Sequence, residues 1–73
     1  MYTTLLMAVQ EGGAKLVMMD GTIWMINPED ISSTANWVPP SGMEIKESSS
    51  HAEYDYTITN LNEGKTVSAS KRR

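Results

Sequence analysis

The sequence predicts a small all-β domain: a five-stranded small barrel or a strongly bent antiparallel sheet, with a short 3₁₀ or helical turn near residues 28–34. Three observations carry this. Asp20-Gly21 stands between the apolar runs 16–19 and 23–26, a strong local signal for a β-hairpin. Residues 43–47 and 54–60 alternate apolar and polar side chains, and a Gly-containing turn leads from the second of them into 65–70. No segment sustains a long helical period.

Residues 2–10 read as a strand with helix as the competing reading, and the stretch 1–13 is the least determined part of the chain. Alternation groups Thr3, Leu5, Met7 and Val9 on one side, which suits a strand. Leu, Met, Ala and Gln also favour helix. Glu11-Gly12-Gly13 ends either element. In the first hairpin, a two-residue Asp20-Gly21 loop of type I′ pairs Met18 with Ile23, Val17 with Trp24 and Leu16 with Met25. That register puts Leu16, Met18, Ile23 and Met25 on one side, with Val17, Met19, Trp24 and Ile26 on the other. Both sides are apolar, so both need cover, from another layer or a second subunit.

Asn27-Pro28-Glu29-Asp30 reads as a helix start: an N-cap, a proline at the first helical position and carboxylates in the first turn. Only Ile31 and Ala35 continue an apolar stripe, which limits the helix to one or two turns. Val38-Pro39-Pro40-Ser41-Gly42 reads as a stiff, extended connection. Met43 and Ile45 point inward from the next strand. Tyr54, Tyr56 and Ile58 share a face, and the turn Leu61–Gly64 sets Val67 opposite Ile58 and Ala69 opposite Tyr56. The final strand pair can close against the first hairpin, with Trp24 and Trp37 as the large fillers.

Seventy-three residues make a single domain, whose core supplies roughly 3–5 kcal/mol at most. The chain has no cysteine and one histidine, which excludes disulfides and thiolate metal sites. No cofactor is expected, and self-association is. The net charge of −3 is uneven. Through residue 70 three lysines face nine carboxylates, and Lys71, Arg72 and Arg73 follow as a basic tail. An acidic body argues against nucleic-acid binding, which needs clustered cations on a folded face. No apolar run is long enough to span a membrane as a helix, and no basic residue precedes Leu5–Val9 as in an export signal. The expected location is the cytoplasm, although a chain with its export signal trimmed away would read identically.

The ordered set of features resembles a group of small uncharacterised bacterial proteins. Their pattern is Asp-Gly-Ser/Thr-x-Trp, a polar turn, a second Trp, a Gly-Asp-x-Val strand and an Asn-Leu-x-x-Gly-x-x-Val-x-Ala ending. Here these are Asp20-Gly21-Thr22-Ile23-Trp24, then Asn27–Asp30, then Trp37, and finally Asn60-Leu61-Asn62-Glu63-Gly64-Lys65-Thr66-Val67-Ser68-Ala69. The likeness spans about residues 15–70. It departs at Pro39-Pro40-Ser41-Gly42-Met43-Glu44, where the pattern has Gly-Asp. The resemblance implies an SH3-like or related small barrel without known catalytic residues.

Three constellations are candidates for chemistry. Glu29 and Asp30, with Ser32, Ser33 and Thr34, lack the ligand spacing of a cation loop, and fit better as helix-start carboxylates and caps. His51, near Glu53, Asp55 and Ser48–Ser50, fits a loop better than a catalytic triad, which needs rigid, oriented partners. Trp24, Trp37, Tyr54 and Tyr56 can make an aromatic platform for a peptide, with Trp24 favoured as core and Trp37 as the exposed ring. Methionines on strands suit adaptable surfaces, Met19 among them. The favoured reading is a non-catalytic binding or assembly module using the apolar hairpin, its partner a copy of itself or an unidentified protein. The alternative is a small ligand-binding protein or enzyme using the His51 loop or the Glu29/Asp30 turn.

Overall fold

The computed structural model describes residues 2–48 and 53–72. Six strands form one closed antiparallel barrel: β1 (Tyr2–Gln10), β2 (Lys15–Met18), β3 (Ile23–Ile26), β4 (Ser41–Glu47), β5 (Tyr56–Asn60) and β6 (Lys65–Arg72). Around the ring the order is β1-β2-β3-β6-β5-β4, with β4 returning to β1. The expected five strands become six because the ambiguous N-terminal segment is a strand and fills the gap between β2 and β4. A 3₁₀ turn, Pro28–Asp30, runs into the single helical turn α1 (Ile31–Thr34), and Asn27 Oδ1 accepts the Glu29 amide at 3.1 Å as the cap.

The second hairpin has the register read from the sequence: Ile58 faces Val67 and Tyr56 faces Ala69. Gly64 supplies the one positive φ of its turn, +69°. Strand β5 starts at Tyr56, so Tyr54 lies before it. Strand β6 runs on through Lys71 and Arg72, opposite Trp24 and Ile23, so those two residues belong to the sheet and not to a free tail. Strand β4 begins at Ser41 and buries Met43 and Ile45. The preceding Val38–Pro40 segment bends, with a cis peptide between Pro39 and Pro40, where an extended link was expected.

The first hairpin is shifted by one position. Leu16 faces Trp24 and Val17 faces Ile23, so the loop has three residues, Met19-Asp20-Gly21. Met18 N–H donates to Thr22 O at 2.9 Å, and Gly21 N–H to Met18 O at 3.0 Å. Asp20 Oδ1 accepts both the Thr22 amide (3.0 Å) and the Thr22 hydroxyl (2.6 Å). With Gly21 alone at positive φ (+88°), this is the three-residue solution for joining twisted strands. A one-residue slip exchanges faces on one strand of the pair. Leu16, Met18, Trp24 and Ile26 therefore point into the barrel, while Val17, Met19, Ile23 and Met25 point out.

A bulge corrects the N-terminal strand as well. The β1–β2 register shifts between Leu6 and Ala8, leaving Met7 as the extra residue. Leu6 and Val9 turn inward; Leu5 and Met7 stay outside. The core is one cluster: Leu6, Leu16, Met18, Trp24, Ile26, Trp37, Met43, Ile45, Ile58, Val67 and Ala69.

One end of the barrel is closed by α1. Thr34 Oγ1 donates to Gly13 O at 2.6 Å, Ser68 N–H donates to Asp30 Oδ2 at 2.9 Å, and Asn27 N–H donates to Ser68 O at 2.9 Å. Gly13 is the tightest point of this closure. A Cβ there, at φ +105°, would stand 2.6 Å from the Ala35 nitrogen and 2.8 Å from Thr34 Oγ1. Gly13→Ala is therefore expected to lower the unfolding free energy by about 3 kcal/mol, from backbone strain plus overpacking. Gly12→Ala, at positive φ but with open space around it, should cost about 1 kcal/mol. Urea unfolding followed by tryptophan fluorescence measures both, and equal losses would contradict the contact with α1.

Candidate functional site

The barrel wall is two-sided in chemistry. Outward residues of β5 and β6 are Thr57, Thr59, Thr66, Ser68 and Ser70, with Arg72 at the strand end, and the Thr59 and Thr66 hydroxyls bond each other at 2.8 Å. Strand β4 adds Glu44 and Lys46, 3.5 Å apart. Across the barrel, β1, β2, β3 and the loop between the last two present Leu5, Met7, Val17, Met19, Ile23 and Met25, with Thr3, Gln10 and Lys15 at the margins of this group. Leu5, Met7 and Met19 are 41%, 52% and 66% exposed. Leu61, 53% exposed, extends this apolar side over Gly42, which pairs with Leu5. Val38 and Tyr2 are exposed outside this group; the other four large exposed hydrophobics gather on one side, against hydroxyls on the other, a pattern that marks interaction surfaces.

The end of the barrel opposite α1 is its mouth. Here the start of β1, the β2–β3 loop, the ends of β4 and β6 and the start of β5 meet. Trp24 lies beneath it, fully buried, its Nε1 donating to Thr22 Oγ1 at 2.9 Å. Tyr56 covers Trp24 edge to face, ring centroids 5.0 Å apart at 72°. Beside Tyr56, Glu47, Ser48 and Asp55 line an open depression.

The site residues read from the sequence separate in space. Met19 lies on the apolar wall. Tyr56 is half-buried at the mouth, and Tyr54 half-buried just before β5. Trp37 is only 3% exposed, which corrects the expectation of an exposed ring. After α1 the chain folds back over the barrel end, with Trp37 N–H donating to Thr34 O at 3.0 Å, and its indole joins the core. With both indoles closed off from solvent, the four aromatics do not make a common platform. Asp30 is occupied as a backbone acceptor for β6, and Glu29 is exposed. The His51 loop, residues 49–52, lies outside the described residues. Among the described residues no three His, Cys, Asp or Glu side chains converge as a metal site, and no helix is long and apolar enough to cross a membrane. The sequence reading missed Leu5 and Met7 as wall residues, although the run Leu5-Leu6-Met7 holds more hydrophobics than one strand face buries. Comparison with protein-family models, with curated proteins and with solved structures finds no match.

Two mouth groups are shifted in their titration. Burial pushes the Asp20 carboxyl up. The hydrogen bonds from the Thr22 hydroxyl and amide, the charge of Lys71 and the Tyr2 phenol together outweigh it and hold the group below its ordinary 3.8. Burial raises the Tyr2 phenol above 10.0; its bond to Thr22 opposes this, and the Asp20 charge adds to it. A carboxyl depressed in the folded state stabilises above its unfolded pKa, and that contribution fades as the pH falls through the folded value. Asp20→Asn should therefore be less stable than the parent chain at neutral pH, and the difference should shrink below pH 3.8. Thermal unfolding across that range tests this; a gap that stayed constant into acid would remove the ionised Asp20 from the loop's support.

Proposed function

We propose that this chain is a non-catalytic binding or assembly module whose contact surface is the outer wall of β1, β2 and β3. The observation that carries the reading is the contrast between walls: apolar Leu5, Met7, Val17, Met19, Ile23 and Met25 on one side, threonine and serine hydroxyls on the other. Exposed methionine suits such a surface, because its unbranched, polarisable side chain adapts to a partner. The strands are too highly paired to recruit a partner by strand addition, since the ring leaves no free edge. Contact is by side chains, face to face. The resemblance to small bacterial SH3-like proteins without catalytic residues agrees with this reading. The depression at Glu47, Ser48, Asp55 and Tyr56 favours a second one, a small ligand held at the barrel mouth.

A photo-reactive amino acid placed at position 19, and separately at position 59, tests the first reading in cells. Adducts are expected from position 19 and not from position 59. Equal yields, or none from position 19, would remove the apolar wall as the contact.

A further inference from the structure

Asp20-Gly21 is the only place in the chain where Asp or Asn precedes Gly. Such a junction is chemically labile, because glycine has no side chain to keep its own nitrogen from closing on the carboxyl carbon before it. We infer that Asp20 is the chain's site of spontaneous isoaspartate formation, and that its two bonds from Thr22 hold the reaction off in the folded state. This is independent of the binding reading above.

The reaction is an internal substitution. Gly21 N attacks Cγ of the neutral Asp20 carboxyl. The N–Cγ bond forms, the C–OH bond breaks, and the amide proton and hydroxyl leave as water. The succinimide so made takes water back at either carbonyl. Opening at Cγ restores aspartate; opening at the main-chain carbon leaves isoaspartate, with the chain running through Cβ and Cγ. Water leaves and returns, and nothing is oxidised or reduced.

Asp20 and Gly21 are both exposed, so exclusion of solvent gives no protection. Three contacts give it instead. Asp20 Oδ1 accepts the Thr22 amide at 3.0 Å and the Thr22 hydroxyl at 2.6 Å. Ring closure expels one carboxyl oxygen and redirects the other, so it gives up these bonds. Gly21 N–H donates to Met18 O at 3.0 Å, and the attacking nitrogen must leave that partner to lose its proton. Surrendering one hydrogen bond to a carboxylate slows such a step by roughly tenfold or more. Desolvation raises the carboxyl, but the Thr22 bonds, Lys71 and the Tyr2 phenol outweigh it and hold the group below its ordinary 3.8, which keeps the reactive neutral acid scarce.

The product undoes the loop. Isoaspartate adds one carbon to the main chain and moves the carboxylate onto Cα. Thr22 then loses the acceptor that fixes its amide and the hydroxyl beneath the Trp24 indole. The contacts that set the register of β2 against β3 are the same ones that preserve it.

Ageing in mildly acid buffer, with and without urea, tests the proposal. Isoaspartate at position 20 is read as a mass-neutral doublet of its peptide and by methyl transfer from S-adenosylmethionine with isoaspartyl methyltransferase. The folded parent should age roughly tenfold slower than the same chain in urea. Thr22→Val, shown folded by circular dichroism, should lose most of that protection, and Thr22→Ser should keep it. Val67→Ala, which loosens the core away from the loop, should age at the parent rate, and all four chains should age alike in urea. A folded parent as fast as the unfolded one would overturn the proposal; that comparison needs no substitution and holds even where Thr22→Val fails to fold. So would a folded Thr22→Val no faster than the parent, a Val67→Ala equally fast, or a Thr22→Val effect that persists in urea.

Discussion

The Asp20 carboxylate accepts the amide and the hydroxyl of Thr22, and these two bonds hold a three-residue loop in which Gly21 alone takes a positive φ. The same Thr22 hydroxyl receives the Trp24 indole N–H. One short chain of polar contacts thereby sets the register of β2 against β3 and satisfies the only donor on the largest core side chain. With Trp24 inside, its ring meets Tyr56 from β5, and β3 lies in position to pair with β6. A loop one residue shorter would turn Trp24 and Ile26 outward and bring Ile23 and Met25 in. The core would lose an indole it has no other residue to replace, since the chain contains no phenylalanine and only one further tryptophan.

Closing the ring disposes of both sheet edges, and it leaves two ends. They are handled differently. At one, α1 is tied down through Thr34 to Gly13 and through Asp30 to the Ser68 amide, so the turn that follows β3 bonds to both β6 and the β1–β2 connection. Trp37 completes that plug. At the other, Tyr2, Asp20 and Lys71 gather near Tyr56, which covers the buried Trp24. A barrel plugged at one end and polar at the other leaves its wall as the broad surface for meeting another macromolecule, and the wall is apolar on one side only.

Where the sequence was legible, a local rule and a packing rule agreed. In the second hairpin, Gly64 supports the turn, and the small Ala69 sits opposite Tyr56, so register and faces follow together. The Asn27 cap and Pro28 likewise mark the helical turn to the residue. The first hairpin was ambiguous because Asp-Gly serves a two-residue and a three-residue loop equally well. The choice rests on where one carboxylate bonds, which apolar patterning on both strand faces does nothing to reveal. At β1, alternation grouped Thr3, Leu5 and Met7 correctly but carried Val9 with them. The bulge at Met7 breaks the period, and no turn residue announces it. The candidate surface was half legible for the same reason. Met19 stands out from sequence, but a two-residue loop sends Ile23 and Met25 to the face opposite it, and only the three-residue loop brings them together. The burial of Trp37 is not legible locally, because it depends on α1 folding back, a contact made through Gly13, more than twenty positions away in the chain.

The combination of a closed ring and an apolar wall has a physical logic of its own. Exposed hydrophobic strands are hazardous chiefly through their unpaired backbone groups, which template further strands without limit. Here every strand has two neighbours, so the apolar side chains of β1, β2 and β3 attract a partner without offering it a backbone to extend. Association through such a wall stops once the wall is covered. A domain this small, lacking disulfides, stands to gain from that cover, because binding that favours the folded state adds to its stability by mass action. The hydroxyls of Thr57, Thr59, Thr66, Ser68 and Ser70 keep the opposite side wetted, so the apolar contact is confined to one side of the barrel.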